Sequence, residues 1–225
     1  METIRGTASR ELNLEEFTSR LAGCERIILD LGTGDGRYVH SLAEKNPAWF
    51  VMGLDPCREN LRKHSRAKLP NMLFVIASAH KLPPELNGLV SHITINFPWG
   101  SLLEGLLTGD SMFLSGIETI SRPAAEIDLR LNSGALAEAG WSLEAGTGRI
   151  RDNLLRAGWQ IRDPSIMNAN TLKSFPSTWA KRLAFGRDPR ATAISGLIGD
   201  RSKRPLKIPN LNHTQAREAD LIDSK

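Results

Sequence analysis

The sequence predicts an α/β fold with a doubly wound, mostly parallel sheet, and three observations lead to this prediction. A short apolar run at residues 27–31 contains Asp30 and leads directly into glycines at alternate positions, the pattern of a buried strand that enters a tight turn before a helix. A second apolar run at residues 50–55 closes on Asp55, about twenty residues later, the spacing at which an acid meets a ribose in nucleotide-binding folds. Further apolar runs alternate with helical stretches, which favours parallel strands with a ligand at their carboxyl ends.

The other elements follow from hydrophobic spacing and from residues that end helices. Leu14, Phe17 and Leu21 recur at helical spacing within residues 1–22, and Pro47 ends a helix predicted at 38–45. We expect further strands at 72–76, 92–97, 125–131 and 191–198, a basic helix at 58–68 and a helix at 150–158. Residues 1–199 are expected to form a single domain, and the polar, proline-interrupted residues 200–225 a loosely ordered tail.

The composition is that of an ordinary globular protein with a basic excess. The 225 residues include 29 Lys and Arg against 25 Asp and Glu, and the net charge of +4 permits an anionic partner without requiring one. Cys24 and Cys57 lack metal-ligand spacing and are too few for a disulfide framework, so we expect no metal and a reducing compartment, the cytoplasm. The sequence shows no apolar signal segment and no apolar run of membrane-spanning length, so no membrane partner is expected.

The glycine loop indicates a cofactor without phosphate groups. It lacks the third-glycine spacing of G-x-G-x-x-G and the Lys-Ser/Thr of a P-loop, so nothing in it is arranged to hold a pyrophosphate or a triphosphate. An acid at the entrance of the loop repels phosphate but pairs with an ammonium group. S-adenosyl-L-methionine (SAM) meets these requirements, with Asp30 predicted to contact the methionyl part and Asp55 the ribose.

Two segments that contain tryptophan indicate binding of a nucleic-acid base. Trp99 follows a proline at the predicted carboxyl end of a strand, where a rigidly held ring can offer a flat face to a base; a core tryptophan is the alternative. Trp179 lies among basic and aromatic residues, the combination that binds phosphates and bases together; a solvated helix face is the alternative. The basic residues of this second segment are Lys181, Arg182, Arg187 and Arg190.

Five motifs, in their order along the chain, resemble those of one enzyme family. They are Asp-Leu-Gly-Thr-Gly-Asp-Gly-Arg at 30–37, Asp55-Pro56, Leu82-Pro83, Phe-Pro-Trp-Gly-Ser-Leu-Leu at 97–103 and Trp-Ala-Lys-Arg-Leu-Ala-Phe-Gly-Arg at 179–187. Over residues 5–198 the sequence resembles the aminoglycoside-resistance 16S rRNA (adenine-1408-N1)-methyltransferases of the kanamycin–apramycin resistance type. The resemblance implies a class I SAM-dependent methyltransferase fold with a seven-stranded sheet. It also implies methylation of N1 of adenine 1408 in the decoding site of the 30S subunit, with aminoglycoside resistance as the outcome.

The same resemblance implies roles for individual residues. Trp99 and Trp179 would hold the flipped adenine, and no general base is assigned because N1 of neutral adenine already has an in-plane lone pair. The implied cofactor-binding set is Asp30, Gly32, Thr33, Gly34, Asp55, Pro56, Ser78, Ala79, His80, Asn96, Trp99, Ser101 and Ser177, the last of these near the adenine. The set expected to bind 16S rRNA is Arg62, Lys63, Arg66, Lys181, Arg182, Arg187 and Arg190. We expect a monomer that binds neither DNA nor a membrane.

Three positions depart from the family pattern. His80 stands where the family usually has Glu, and Asn96 replaces an apolar residue. Asp188-Pro189 occupy a stretch where the family is basic, which leaves Arg190 as the arginine expected to hold the RNA backbone.

The alternatives to methylation of adenine 1408 are methylation of another RNA adenine at N1 or at the exocyclic N6, methylation of a small molecule, and RNA binding without catalysis. The N6 alternative follows from the likeness of Asn96-Phe-Pro-Trp to the loop of exocyclic-amine methyltransferases.

Overall fold

A computed structural model describes residues 1–186 and 188–199, and in this part of the chain the strands form one ten-stranded mixed sheet. The strands are β1 (Glu2–Arg5), β2 (Ala8–Glu11), β3 (Arg26–Leu31), β4 (Trp49–Asp55), β5 (Met72–Ile76), β6 (Val90–Asn96), β7 (Ser121–Asn132), β8 (Gln160–Ile161), β9 (Ser165–Met167) and β10 (Ala191–Leu197). The helices are α1 (Leu14–Leu21), α2 (Arg37–Lys45), α3 (Arg58–Leu61), α4 (Gly100–Thr108), α5 (Ser111–Ile120), α6 (Ser133–Glu138), α7 (Leu143–Arg156), α8 (Ala169–Ser174) and α9 (Thr178–Ala184). The predicted tail and Arg187 lie outside the described residues.

The strand order is β2-β1-β5-β4-β3-β6-β7-β10-β8, and β9 also pairs with β10. The five central strands β5, β4, β3, β6 and β7 are parallel, and β10 runs antiparallel to β7. Because the chain leaves β3 for β4 on one side and later adds β6 on the other, a crevice opens at the carboxyl end of β3. The predicted doubly wound α/β fold is therefore confirmed.

The seven strands that the family resemblance implies form the body of this sheet. The short strands β8 and β9 pair with successive stretches of β10, residues 196–197 and 191–193, so together they act as one interrupted strand. The hairpin β1–β2 then extends the sheet beyond β5. This hairpin was not predicted, because four-residue strands are too short to show a clear alternation.

Helices cover both faces of the sheet. The apolar side chains of β3 point alternately to one face and to the other, so each face must be buried beneath helices. On one face Leu29 belongs to a core shared with Leu106 of α4 and Ile150 of α7, all buried. On the other face Ile28 packs in a second cluster with Val39 of α2. In the described part of the chain no helix combines the length and apolar character needed to span a membrane.

The predicted helix at 58–68 is wrong in its length. Helix α3 stops at Leu61, and a 3-10 turn at His64–Arg66 follows. The turn is stabilised by a distant segment of the chain, because the hydroxyl of buried Ser65 accepts a hydrogen bond of 2.9 Å from the amide of Gly6 in the N-terminal hairpin. A contact between such distant segments leaves no local sequence signal.

Candidate functional site

The glycine loop between β3 and α2 has a left-handed backbone at three positions. Gly32, Gly34 and Gly36 have φ of +69°, +58° and +75°, a region that glycine enters without steric cost. A Cβ on Gly36 would lie 2.3 Å from the ring of Phe74, and a Cβ on Gly32 would lie 2.6 Å from a methyl carbon of Leu102. A Cβ on Gly34 would meet nothing within 4 Å, although this residue lines the cavities described below. The loop therefore packs tightly at both ends and leaves room at its centre for a ligand.

Asp30 is a buried carboxylate at the end of β3. Its Oδ1 accepts hydrogen bonds from Thr94 Oγ1 at 2.6 Å and from Asn96 Nδ2 at 2.7 Å. The amide oxygen of Asn96 accepts a hydrogen bond of 2.9 Å from Arg130 Nη1, so the three side chains form a chain across β3, β6 and β7. Burial raises the pKa of Asp30 to about 6, although these hydrogen bonds and the charge of Arg130 act to lower it. A cationic ligand group beside Asp30 would stabilise its charged form.

Asp55, at the end of β4, holds the glycine loop in place. One carboxylate oxygen accepts a hydrogen bond of 2.9 Å from the amide of Gly34, and the other accepts one of 2.9 Å from the amide of Cys57. The side chain is buried but lines a cavity. Because each carboxylate oxygen has two lone pairs, these contacts leave Asp55 able to accept a ligand hydroxyl as well.

Two adjoining cavities lie over the carboxyl ends of β3, β4 and β6. The first, the Asp30 cavity, has a volume of about 300 Å³ and is lined by Asp30. The second, the Asp55 cavity, has a volume of about 290 Å³ and is lined by Asp55. Both cavities are also lined by Gly32, Gly34 and Asn96. All thirteen residues predicted to bind the cofactor line one or both of these cavities. Lining residues that were not predicted include Asp35, Tyr38, Leu54, Asn60, Phe97, Leu102 and Thr178.

The cavities fit SAM in chemistry as well as in place. The Asp30 cavity offers a desolvated carboxylate for an ammonium group, and the open side of Gly34 allows close backbone approach. The Asp55 cavity combines a carboxylate for ribose hydroxyls with apolar walls from Leu54 and Leu102 for an adenine ring.

A strained turn after β6 aims Trp99 at the cavities. Phe97 has φ of +55°, which is unfavourable for a bulky side chain, and its ring is buried in a small cluster with Leu172 and Ala180 beneath α8 and α9. The ring of Phe97 contacts Phe175 edge-on, with centroids 6.0 Å apart. The turn thus ties the end of β6 to the helices that carry the second predicted tryptophan.

The structure brings the two predicted tryptophans together. The ring centroids of Trp99 and Trp179 are 5.5 Å apart and the rings are tilted by 32°. Trp99 is half-buried and lines the Asp55 cavity, whereas Trp179 is 39% exposed and lines both cavities. The arrangement differs from that of a core tryptophan, because one ring is open to solvent and both border the cavities.

Helix α9 is fixed to the glycine loop at its first turn. Thr178 Oγ1 donates a hydrogen bond of 2.7 Å to Asp35 Oδ2, and the buried Ser177 at the N-cap lines the Asp30 cavity. One turn later the guanidinium of Arg182 lies 5.3 Å from the ring centroid of Trp179. Such a cation–π contact orients the exposed ring.

The predicted RNA-binding residues have different environments. Arg62 is paired with Glu59 at 3.2 Å, and Arg66 packs against Gly6. Arg190 makes two hydrogen bonds with the carboxylate of Asp188, at 2.8 and 2.9 Å, and these hold the pKa of Asp188 well below its usual range. The arginine predicted to hold the RNA backbone is thus already paired within the chain. Lys63 and Lys181 both line a separate groove.

Sequence reasoning missed the residues that support Asp30. Thr94 and Arg130 supply its hydrogen bond and its charged neighbour, yet neither was predicted. Both alternate with buried apolar residues along central strands. Polar or charged residues that alternate with buried apolar ones in a central strand were therefore the available signal.

A protein-family model described as "NpmA: 16S rRNA (adenine(1408)-N(1))-methyltransferase" matches residues 2–198. The chain belongs to this family. A curated 16S rRNA (adenine(1408)-N(1))-methyltransferase from Escherichia coli is 32% identical over 216 residues, which are 88% of this chain and 99% of that protein. One from Streptoalloteichus hindustanus is 30% identical over 84% of this chain and 94% of its own length.

Solved structures of related proteins share the fold. The crystal structure of the 16S rRNA methyltransferase KamB has a TM-score of 0.80 and 30% identity, covering 88% of this chain and 100% of that one. A mutant 16S rRNA (adenine(1408)-N(1))-methyltransferase from Catenulisporales acidiphilia was solved with the cosubstrate SAM. It has a TM-score of 0.79 and 25% identity, covering 92% of this chain and 100% of its own.

Proposed function

We propose that this protein uses SAM to methylate N1 of adenine 1408 of 16S rRNA, and that this methylation confers resistance to aminoglycosides. We further propose that it acts as a cytoplasmic monomer on the assembled 30S subunit. The observation that carries the proposal is the Trp99–Trp179 ring pair at the mouth of the cavities lined by Asp30 and Asp55. When bound, SAM supplies an electrophilic methyl group, and the family of the chain supports this cofactor and substrate.

The ring pair accounts for binding of an extruded base. Two stacking distances of about 3.5 Å require centroids about 7 Å apart, so Trp99 and Trp179 must separate from their present 5.5 Å to admit adenine. Trp179 can supply that movement by rotation of its side chain, because its ring is exposed. Stacking is worth about 1–3 kcal/mol per base, which offsets part of the cost of extruding the nucleotide.

The reaction at N1 needs no general base. The in-plane lone pair of N1 attacks directly, so the protein contributes orientation and exclusion of water. Methylation at N1 gives a cationic adenine, and the faces of Trp99 and Trp179 are suited to stabilise a flat cation by cation–π interaction. The same two rings would thus bind the substrate base and stabilise its developing charge.

The hydrogen bonds of Asn96 weigh against the exocyclic-amine alternative. That reaction needs a side-chain carbonyl to accept a hydrogen bond from the amino group of adenine. Here the amide oxygen of Asn96 accepts from Arg130 and its amide nitrogen donates to Asp30. The next residue, Phe97, is buried in the α8–α9 cluster. Asn96 thus helps to hold the carboxylate of Asp30 in place.

Reverse transcription across the decoding site tests the proposal. Isolated 30S subunits are incubated with SAM and the wild-type protein, Trp99→Ala or Trp179→Ala, since N1 methylation blocks base pairing and stops the polymerase. Trp49→Ala is the matched control, because Trp49 is half-buried at the start of β4, the end of that strand away from the cavities. We expect a SAM-dependent stop at adenine 1408 for the wild type and Trp49→Ala, and a stop weaker by about fivefold or more in the other two variants, from the loss of about 1–3 kcal/mol of stacking. A protein that binds SAM but gives no stop would have another substrate.

A further inference from the structure

A basic groove lies beside the cofactor cavities and shares no residue with them. Its volume is about 500 Å³, and its walls come from α2, the 3-10 turn at His64–Arg66 and the α8–α9 segment. Four cationic side chains line it: Arg37, Lys63, Lys173 and Lys181. Three of them are exposed, and Arg37 is partly exposed at the start of α2.

These four cations have no carboxylate partner within 4 Å among residues 1–186 and 188–199. By contrast, Arg62 is paired with Glu59, and Arg151 with Asp163. Glu44 is the acid on the groove wall, so four positive charges face one negative charge. Like charges gathered in a concave surface create a positive potential that favours an anion.

The groove also offers the hydrogen-bonding groups of two histidines. The rings of His40 and His64 lie 5.5 Å apart on its wall. Burial, the largest effect, lowers the pKa of His64; the charge of Asp35 acts to raise it, and the nearby cations act to lower it. A neutral imidazole can donate one hydrogen bond to an anionic oxygen without adding to the repulsion among the cations.

We propose that this groove binds backbone phosphates of the rRNA substrate beside the extruded adenine; the inference rests on the proposed function. Lys63 and Lys181, which are far apart in sequence, converge there, and Lys181 lies on the same helix as Trp179. A phosphate held between Arg37 of α2 and Lys181 of α9 bridges the methyltransferase core and the helix that carries the stacking ring. Arg37 and Lys173 are the new members of the RNA-binding set.

The salt dependence of 30S binding tests this inference in an Arg37→Gln/Lys173→Gln double variant. Each phosphate contact contributes about −0.9 to the slope of log affinity against log salt, so losing two contacts reduces the slope by about 2. Between 50 and 200 mM salt the affinity of the variant should then fall about tenfold less than that of the wild type. We also expect a raised KM for 30S subunits with unchanged kcat and unchanged SAM affinity.

Arg122→Gln/Arg156→Gln is the matched control, because both arginines are exposed and line neither the groove nor the cofactor cavities. A control slope equal to that of the wild type, with a reduced slope in the groove variant, supports the proposal. Equal slopes in both double variants would overturn it. If the wild type methylates no 16S rRNA but the slopes still differ with 30S subunits, the proposed reaction fails while the groove stands as a phosphate site.

Discussion

Replacing Asp30 with Asn should stabilise the fold and weaken cofactor binding. The folded protein raises the pKa of Asp30 from 3.8 to about 6, chiefly by burial. Because one pKa unit corresponds to 1.36 kcal/mol, the charged carboxylate costs the folded protein about 3 kcal/mol at neutral pH. Asparagine removes that charge, while its side-chain oxygen can still accept the hydrogen bonds from Thr94 and Asn96.

The raised pKa of Asp30 determines how the free energy of unfolding changes with pH. The folded protein holds the proton of Asp30 more tightly than the unfolded chain, so the wild type loses stability relative to the variant as pH rises from about 4 to about 6. Urea unfolding without SAM should give equal free energies of unfolding for Asp30→Asn and wild type at pH 4, and a variant more stable by about 3 kcal/mol at pH 7. If the difference in free energy of unfolding between Asp30→Asn and wild type did not change with pH, the conclusion that Asp30 is a destabilising buried charge would be refuted.

Asp30→Asn should weaken SAM binding although it stabilises the fold. A carboxylate that pairs with the ammonium group must be ionised, so wild-type SAM affinity should fall about tenfold per pH unit below pH 6. Titration calorimetry should show weaker binding by Asp30→Asn at pH 7, with little dependence on pH. Unchanged SAM affinity in this variant would place the ammonium group elsewhere. Greater stability with weaker binding is the trade-off expected where a strained site serves function.

Three further substitutions test other parts of the account. Gly36→Ala should lower the free energy of unfolding by about 3 kcal/mol through a clash with an aromatic ring, whereas Gly140→Ala, also at positive φ but in open space, should lose about 1 kcal/mol; equal losses would contradict the packing argument. Asn96→Leu removes a donor to the buried carboxylate, so SAM affinity at pH 7, measured by calorimetry, should fall about tenfold; a change below twofold would contradict this. Asp188→Ala frees Arg190 and should steepen the salt slope of 30S binding by about 1; an unchanged slope would mean that Arg190 does not reach the RNA.

The parts of the site predicted from sequence are those encoded by local patterns. The run from β3 through the glycine loop to Asp55 combines buried strands, obligatory glycines and terminal acids within thirty residues, so its spacing alone indicated its geometry. The two tryptophan segments were recognisable by their own chemistry. Their approach to 5.5 Å could not be predicted from spacing, because it depends on packing between Phe97 and the α8–α9 cluster.

The parts that sequence could not give depend on contacts between distant segments. The chain of hydrogen bonds from Arg130 through Asn96 to Asp30 requires the register of three strands. The basic groove appears only when three separate elements are folded together.

The central claim is that the methyl group reaches N1 of adenine 1408, and analysis of the modified nucleoside tests it most directly. The decoding-site fragment of 16S rRNA is isolated from 30S subunits treated with the protein and SAM, digested to nucleosides, and compared by liquid chromatography and mass spectrometry with N1- and N6-methyladenosine standards. We predict N1-methyladenosine, at most one per subunit. N6-methyladenosine, or an unmodified fragment from subunits treated with protein that binds SAM, would contradict the claim.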